Sequence, residues 1–99
     1  MNYSIPPEKF ETTSLKSCPA GAAITRVLSA SIQAVQPGAA VRNFLIRSGN
    51  RLKVVDHDYD LASFQRVFLV GCGKAGAPMA TAVQEILADR LSGGVVIVK

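Results

Sequence analysis

The apolar positions change their spacing several times along the chain. Over residues 22–35, Ile24, Val27, Leu28, Ile32 and Val35 recur on one helical face, with Ala30 and Ala34 beside it. This predicts an amphipathic helix, ended by Gln36-Pro37-Gly38. A shorter helix is expected over residues 38–47, with Val41, Phe44 and Leu45 as its apolar face. Pro37 sits near its first turn, where a missing N–H costs nothing, and Ser48-Gly49-Asn50 supplies the stop. Residues 51–55 read as extended. Asp56-His57-Asp58 would turn the chain, and Tyr59-Asp60-Leu61 would return as a short strand, giving a small hairpin. Ala62-Ser63-Phe64-Gln65 is expected to form one helical turn.

The last third has a different signature. Arg66-Val67-Phe68-Leu69-Val70 is a run of consecutive apolar β-formers rather than an alternating one, which is the pattern of a buried parallel strand. A helix over residues 75–90 follows, with Met79, Val83, Ile86, Leu87 and Leu91 on one face, and Ser92-Gly93-Gly94 stops it. Val95-Val96-Ile97-Val98 is a second buried strand. Strand, helix and strand within about thirty residues make a βαβ unit with parallel strands and a right-handed crossover. The expected class is α/β: a Rossmann-like parallel sheet with preceding helices and a small hairpin. It is incomplete, because two parallel strands and one helix cannot cover both faces of a sheet.

Residues 1–20 are polar, broken by Pro6, Pro7 and Pro19, and are expected to form a flexible leader or a short extra turn. They hold Glu8 and Glu11 and no apolar run, unlike a signal peptide. No stretch approaches the length of a membrane span. At 99 residues the chain is one domain at most, yet it is 48% hydrophobic with a mean hydropathy of +0.26. So apolar a surface on so small a unit expects a partner or more chain. The net charge is +4, but the basic residues are scattered and only 6% of residues are aromatic, which does not make a nucleic-acid footprint. The two cysteines, Cys18 and Cys72, form neither a disulfide framework nor a metal spacing, and fit a reduced, cytoplasmic setting.

Candidate chemistry concentrates in Gly71-Cys72-Gly73-Lys74-Ala75-Gly76, at the junction of the first parallel strand and its helix. Such loops bind ligands in open α/β sheets, because glycines let the backbone approach and a helix N-terminus favours an anion. Gly71, Gly73 and Gly76 match G-x-G-x-x-G with the required strand before and helix after. A dinucleotide fold, however, wants an acid at the end of the second strand, where this chain has Lys99, a residue that would favour NADPH over NADH. Lys74 adds a full positive charge inside the turn, which suits a transferring phosphate better than a nicotinamide. The P-loop pattern G-x-x-x-x-G-K-[ST] is absent. The bland alternatives are that the glycines serve helix–strand packing, that Lys74 is solvated, and that Cys72 fills space rather than acting as a nucleophile. His57 between two aspartates reads as a solvated histidine rather than a metal ligand.

Together, residues 67–75, Met79-Ala80 and residues 89–99 resemble the N-terminal region of the bacterial-type glycerate 2-kinases, which carry a MOFRL domain at their C-terminal end and some of which were labelled hydroxypyruvate reductases. Residues 36–41 and the hairpin with Tyr59-Asp60-Leu61 look similar as well. Cys72 departs from the small residue usual at its place. The resemblance spans residues 22–99 and implies that residues 21–99 are the N-terminal portion of a Rossmann-like kinase domain, truncated and without its MOFRL domain. It further implies ATP- and Mg²⁺-dependent phosphorylation of D-glycerate to 2-phosphoglycerate, in a cleft between the two domains. Lys74 matches the family's site lysine, with Gly71, Gly73 and Gly76 around the nucleotide phosphates. No metal ligand and no general base is carried over, and the 99 residues alone are expected to be inactive. Glycerate and ATP are the expected partners, with no nucleic acid and no membrane, and a homo-oligomer is left open. An NAD(P)-dependent oxidoreductase and a non-enzymatic interaction module are the competing readings.

Overall fold

The computed structural model describes residues 4–99; Met1, Asn2 and Tyr3, at the start of the expected leader, lie outside the described residues. The described residues form two compact units, one ending at Gln36 and the other spanning Pro37–Lys99.

In the first unit, a 3-10 turn at Pro7–Phe10 and a short helix α1, Thr13–Lys16, pack on helix α2, Gly21–Ala34. Thr12 caps α1 by accepting the N–H of Leu15 at 3.2 Å. The buried residues of α2 are Gly21, Thr25 and Ser29. The Ser29 hydroxyl donates to the Ile5 carbonyl. The predicted apolar stripe, Ile24, Val27, Leu28, Ile32 and Val35, is exposed instead. Periodicity located the helix correctly, but the small residues are the ones that admit the segment before α2 at close range.

The second unit is the α/β part. Helix α3, Pro37–Phe44, starts at the proline and stops three residues earlier than expected. Leu45–Ser48 is strand β1, not the end of a helix. It pairs antiparallel with β2, Arg51–Val54, and β2 pairs antiparallel with β3, His57–Asp60. The expected hairpin is therefore a three-stranded meander in the order β1-β2-β3. Gly49-Asn50 makes its first turn and Val55-Asp56 its second, so His57 and Asp58 belong to β3 rather than to a turn. Leu45, Arg47, Leu52, Val54 and Tyr59 share one face by register, and Leu52, Leu61 and Leu87 form the core, flanked by Leu45, Val54, Val67, Val83, Ile86 and Leu91.

Val55 adopts φ +58°, unusual for a β-branched residue, at the first position of a two-residue turn where glycine is preferred. Its side chain is 59% exposed, so little packing holds it there. Val55→Gly is expected to raise unfolding stability by about 0.5–1 kcal/mol, since relief of left-handed strain outweighs the added freedom of the unfolded chain. Urea denaturation measures this, and an unchanged or lower midpoint contradicts it.

After a 3-10 turn at Leu61–Ser63, capped by the Asp60 carboxylate, strand β4 runs Phe68–Cys72. Helix α4, Gly76–Leu87, follows, then a 3-10 turn at Ala88–Arg90 and strand β5, Gly93–Ile97. Strands β4 and β5 are parallel, with Val70 opposite Val95 and Cys72 opposite Ile97. The predicted βαβ unit is present, shifted so that β4 extends through Gly71 and Cys72 and α4 ends at Leu87. The architecture is an incomplete Rossmann-like α/β arrangement. Leu69, Gly71 and Val96 are half-buried on the face that α4 covers, while Phe68, Val70, Val95 and Ile97 are exposed on the other. No described helix is long and apolar enough to cross a membrane.

Helices α3 and α4 pack side by side, with Ala82 fully buried. Arg42 of α3 reaches Glu85 of α4 at 2.8 Å, and this guanidinium holds the Glu85 carboxyl below its ordinary value of 4.5. A lowered folded-state value stabilises the fold above pH 4.5 and loses that contribution as pH falls below it. The urea midpoint is therefore expected to drop more steeply between pH 5 and about pH 3 in the native chain than in Glu85→Gln. Parallel profiles would contradict the contribution.

Candidate functional site

The turn between β4 and α4 holds the four predicted site residues close together, and each has a different structural role. Gly71 lies within β4 opposite Val96, and a Cβ there would make only ordinary contacts, 3.8–3.9 Å from the Val96 methyls. Nothing among the described residues demands a glycine there. Gly73 has φ +114°, a conformation open to glycine and costly for other residues, and it bends the chain from strand to helix. Its N–H donates to the Ile97 carbonyl at 3.0 Å, tying the turn to the end of β5. Gly76 opens α4, and a Cβ there would come within 3.0 and 3.1 Å of Val96 and Val98 methyls. Gly76 therefore serves close helix–strand packing.

Lys74 is exposed, and its side chain has no hydrogen bond or ion pair among the described residues. It stands just before an α4 N-terminus with no side-chain cap and no acidic residue in the first turn. An uncapped helix end carries partial positive charge, and a neighbouring ammonium adds to it. Pairing of the two like charges is unfavourable unless an anion joins them. The backbone is a less generous donor than three glycines suggest. Gly73 N–H is committed to Ile97, Gly76 N–H donates to Gly73 O at 3.1 Å, and Pro78 has no N–H. The ammonium of Lys74 is thus one anion-directed group of the turn, beside the N–H groups at the uncapped start of α4.

Among the described residues, no group of three or more His, Cys, Asp or Glu side chains gathers to hold a metal ion. No residue here is assigned to Mg²⁺. His57 Nδ1 lies 2.9 Å from an Asp56 carboxylate oxygen, both side chains being well exposed. Cys18 and Cys72 are free thiols at the surface. A hollow of about 370 Å³, lined in part by Leu69, Gln84, Leu91 and Ser92, sits at the far end of α4 from Lys74 and contains no charged side chain.

Three polar residues near the C-terminal end of α4 have structural roles that the sequence did not reveal. Arg47 projects from β1 and donates to the carbonyls of Ile86 at 3.2 Å, Leu87 at 2.6 Å and Gly49 at 2.8 Å, and to Asp89 at 3.1 Å. It caps the helix from outside, satisfying carbonyls that the last turn leaves open. Arg90 donates to the carbonyls of Leu61 and Phe64. Ser92 and Val67 bond each other twice, Ser92 N–H to Val67 O and Val67 N–H to Ser92 Oγ. The segment that follows α4 is thereby fastened to the meander and to the start of β4. The sequence signal for Arg47 was its inward parity in a short strand, hidden because residues 45–47 read as helical.

Comparison with known proteins follows the same residues. A family model described as a domain of unknown function, DUF4147, matches residues 23–99. The chain is 39% identical over 75 residues to the glycerate kinase of Mus musculus, covering 74% of this chain and 14% of that protein. It is 39% identical over 72 residues to the glycerate kinase of Danio rerio, covering 73% and 14% respectively. A crystal structure of the PH0495 protein from Pyrococcus horikoshii OT3 superposes with a TM-score of 0.62 at 28% identity, covering 75% of this chain and 16% of that one. The chain thus spans about one-seventh of the length of the curated relatives it matches.

Proposed function

This chain belongs to the DUF4147 family and represents the N-terminal region of the glycerate kinases, and from that premise we propose that the complete protein phosphorylates D-glycerate at its 2-hydroxyl, with ATP as donor. The observation that carries the reading is the 39% identity to a glycerate kinase over 75 residues, beside a family model whose match to residues 23–99 takes in the β4–turn–α4–β5 unit. ATP supplies the phosphoryl group when bound. The work assigned to this chain is electrostatic. Phosphoryl transfer depends on positioning and on neutralising charge that spreads over the transferring oxygens. Lys74 places an ammonium at the mouth of α4, where the helix dipole already favours an anion. Gly73 bends the backbone so that Lys74 stands clear of the sheet, and Gly76 holds the helix tight to β5 so that its end cannot drift. No residue of this chain is assigned to metal binding or to activation of the glycerate hydroxyl. The proposed setting is the cytoplasm.

The test uses the complete protein with D-glycerate, ATP and Mg²⁺, following the product by phosphorus NMR. Formation of 2-phosphoglycerate with equimolar ADP is expected. No phosphorylated product, together with NADPH-dependent reduction of hydroxypyruvate, would replace this reading with an oxidoreductase using the same glycine turn.

A further inference from the structure

We draw no further inference here: the strongest candidate, the apolar face of the β4–β5 sheet presented by Phe68, Val70, Val95 and Ile97, stands exposed and nothing in the structure shows what covers it.

Discussion

Lys74→Ala in the complete protein is expected to lower kcat for glycerate phosphorylation by about 10²–10³-fold, the usual effect of removing one group aimed at charge that develops during transfer. The melting temperature should hardly change. Lys74 is exposed and touches no partner among the described residues, and its charge beside a helix N-terminus is unfavourable to the fold. The pairing of lost turnover with retained stability is the diagnostic result. Lys74→Arg keeps the charge but changes the shape of the donor, and should recover part of the rate. Near-normal turnover in Lys74→Ala would remove the residue from the site. Gly71→Ala sharpens the comparison, because no described atom crowds a Cβ there. If Gly71→Ala folds normally and loses activity, the crowding comes from a bound ligand or from the rest of the protein.

The second large effect concerns folding. In Gly94→Ala, the new Cβ would clash with the carbonyl oxygen of Leu69, its partner on β4. Backbone cannot rotate away as a side chain can, so the two parallel strands must part or shift. Overpacking of this kind costs about 1–3 kcal/mol and sometimes more. Against a total stability of roughly 5–15 kcal/mol, that is a large share. Gly93→Ala is the matched control. Its Cβ would meet only the Phe68 ring at 3.8 Å, an ordinary contact, and little change is expected. Equal denaturation midpoints for the two variants would show that β4 and β5 do not approach as closely as described.

The elements most legible in the sequence were those with the simplest periodicity. The uninterrupted apolar runs around Phe68-Leu69-Val70 and Val95-Val96-Ile97 announced parallel strands, and the i, i+3, i+4 spacing of α4 announced the crossover between them. Val83, Ile86, Leu87 and Leu91 reached the core as expected, while Met79 stayed exposed. The residues after Phe44 were harder. Leu45 continues the helical spacing of Val41 and also begins the alternation Leu45-Ile46-Arg47-Ser48, so two periods overlap on the same letters. Gly49-Asn50 ends a helix as readily as it turns a hairpin, and pairing with Arg51–Val54 decided for the strand. Such pairing is a contact between segments, which no local pattern contains. The candidate site was legible as a cluster of glycines around a lysine. The distinction between Gly73, required by its backbone angle, and Gly76, required by Val96 and Val98, needed coordinates.

Arg47 ties together parts of the chain that are far apart in sequence, since its partners Ile86, Leu87 and Asp89 lie 39, 40 and 42 positions away. Fastened in this way, the meander and the helix do not open independently. Amide protons in β1 and β2 and those in the last turns of α4 are therefore expected to exchange with solvent at similar protection levels, and hydrogen exchange checks this. A closure that spans about forty residues carries a larger chain-entropy cost than the local turns at Gly49-Asn50 and Val55-Asp56. The end of α4 that lies far from Lys74 is thus tied to the meander through Arg47, while the Lys74 end is anchored separately at β5 through Gly73 and Gly76.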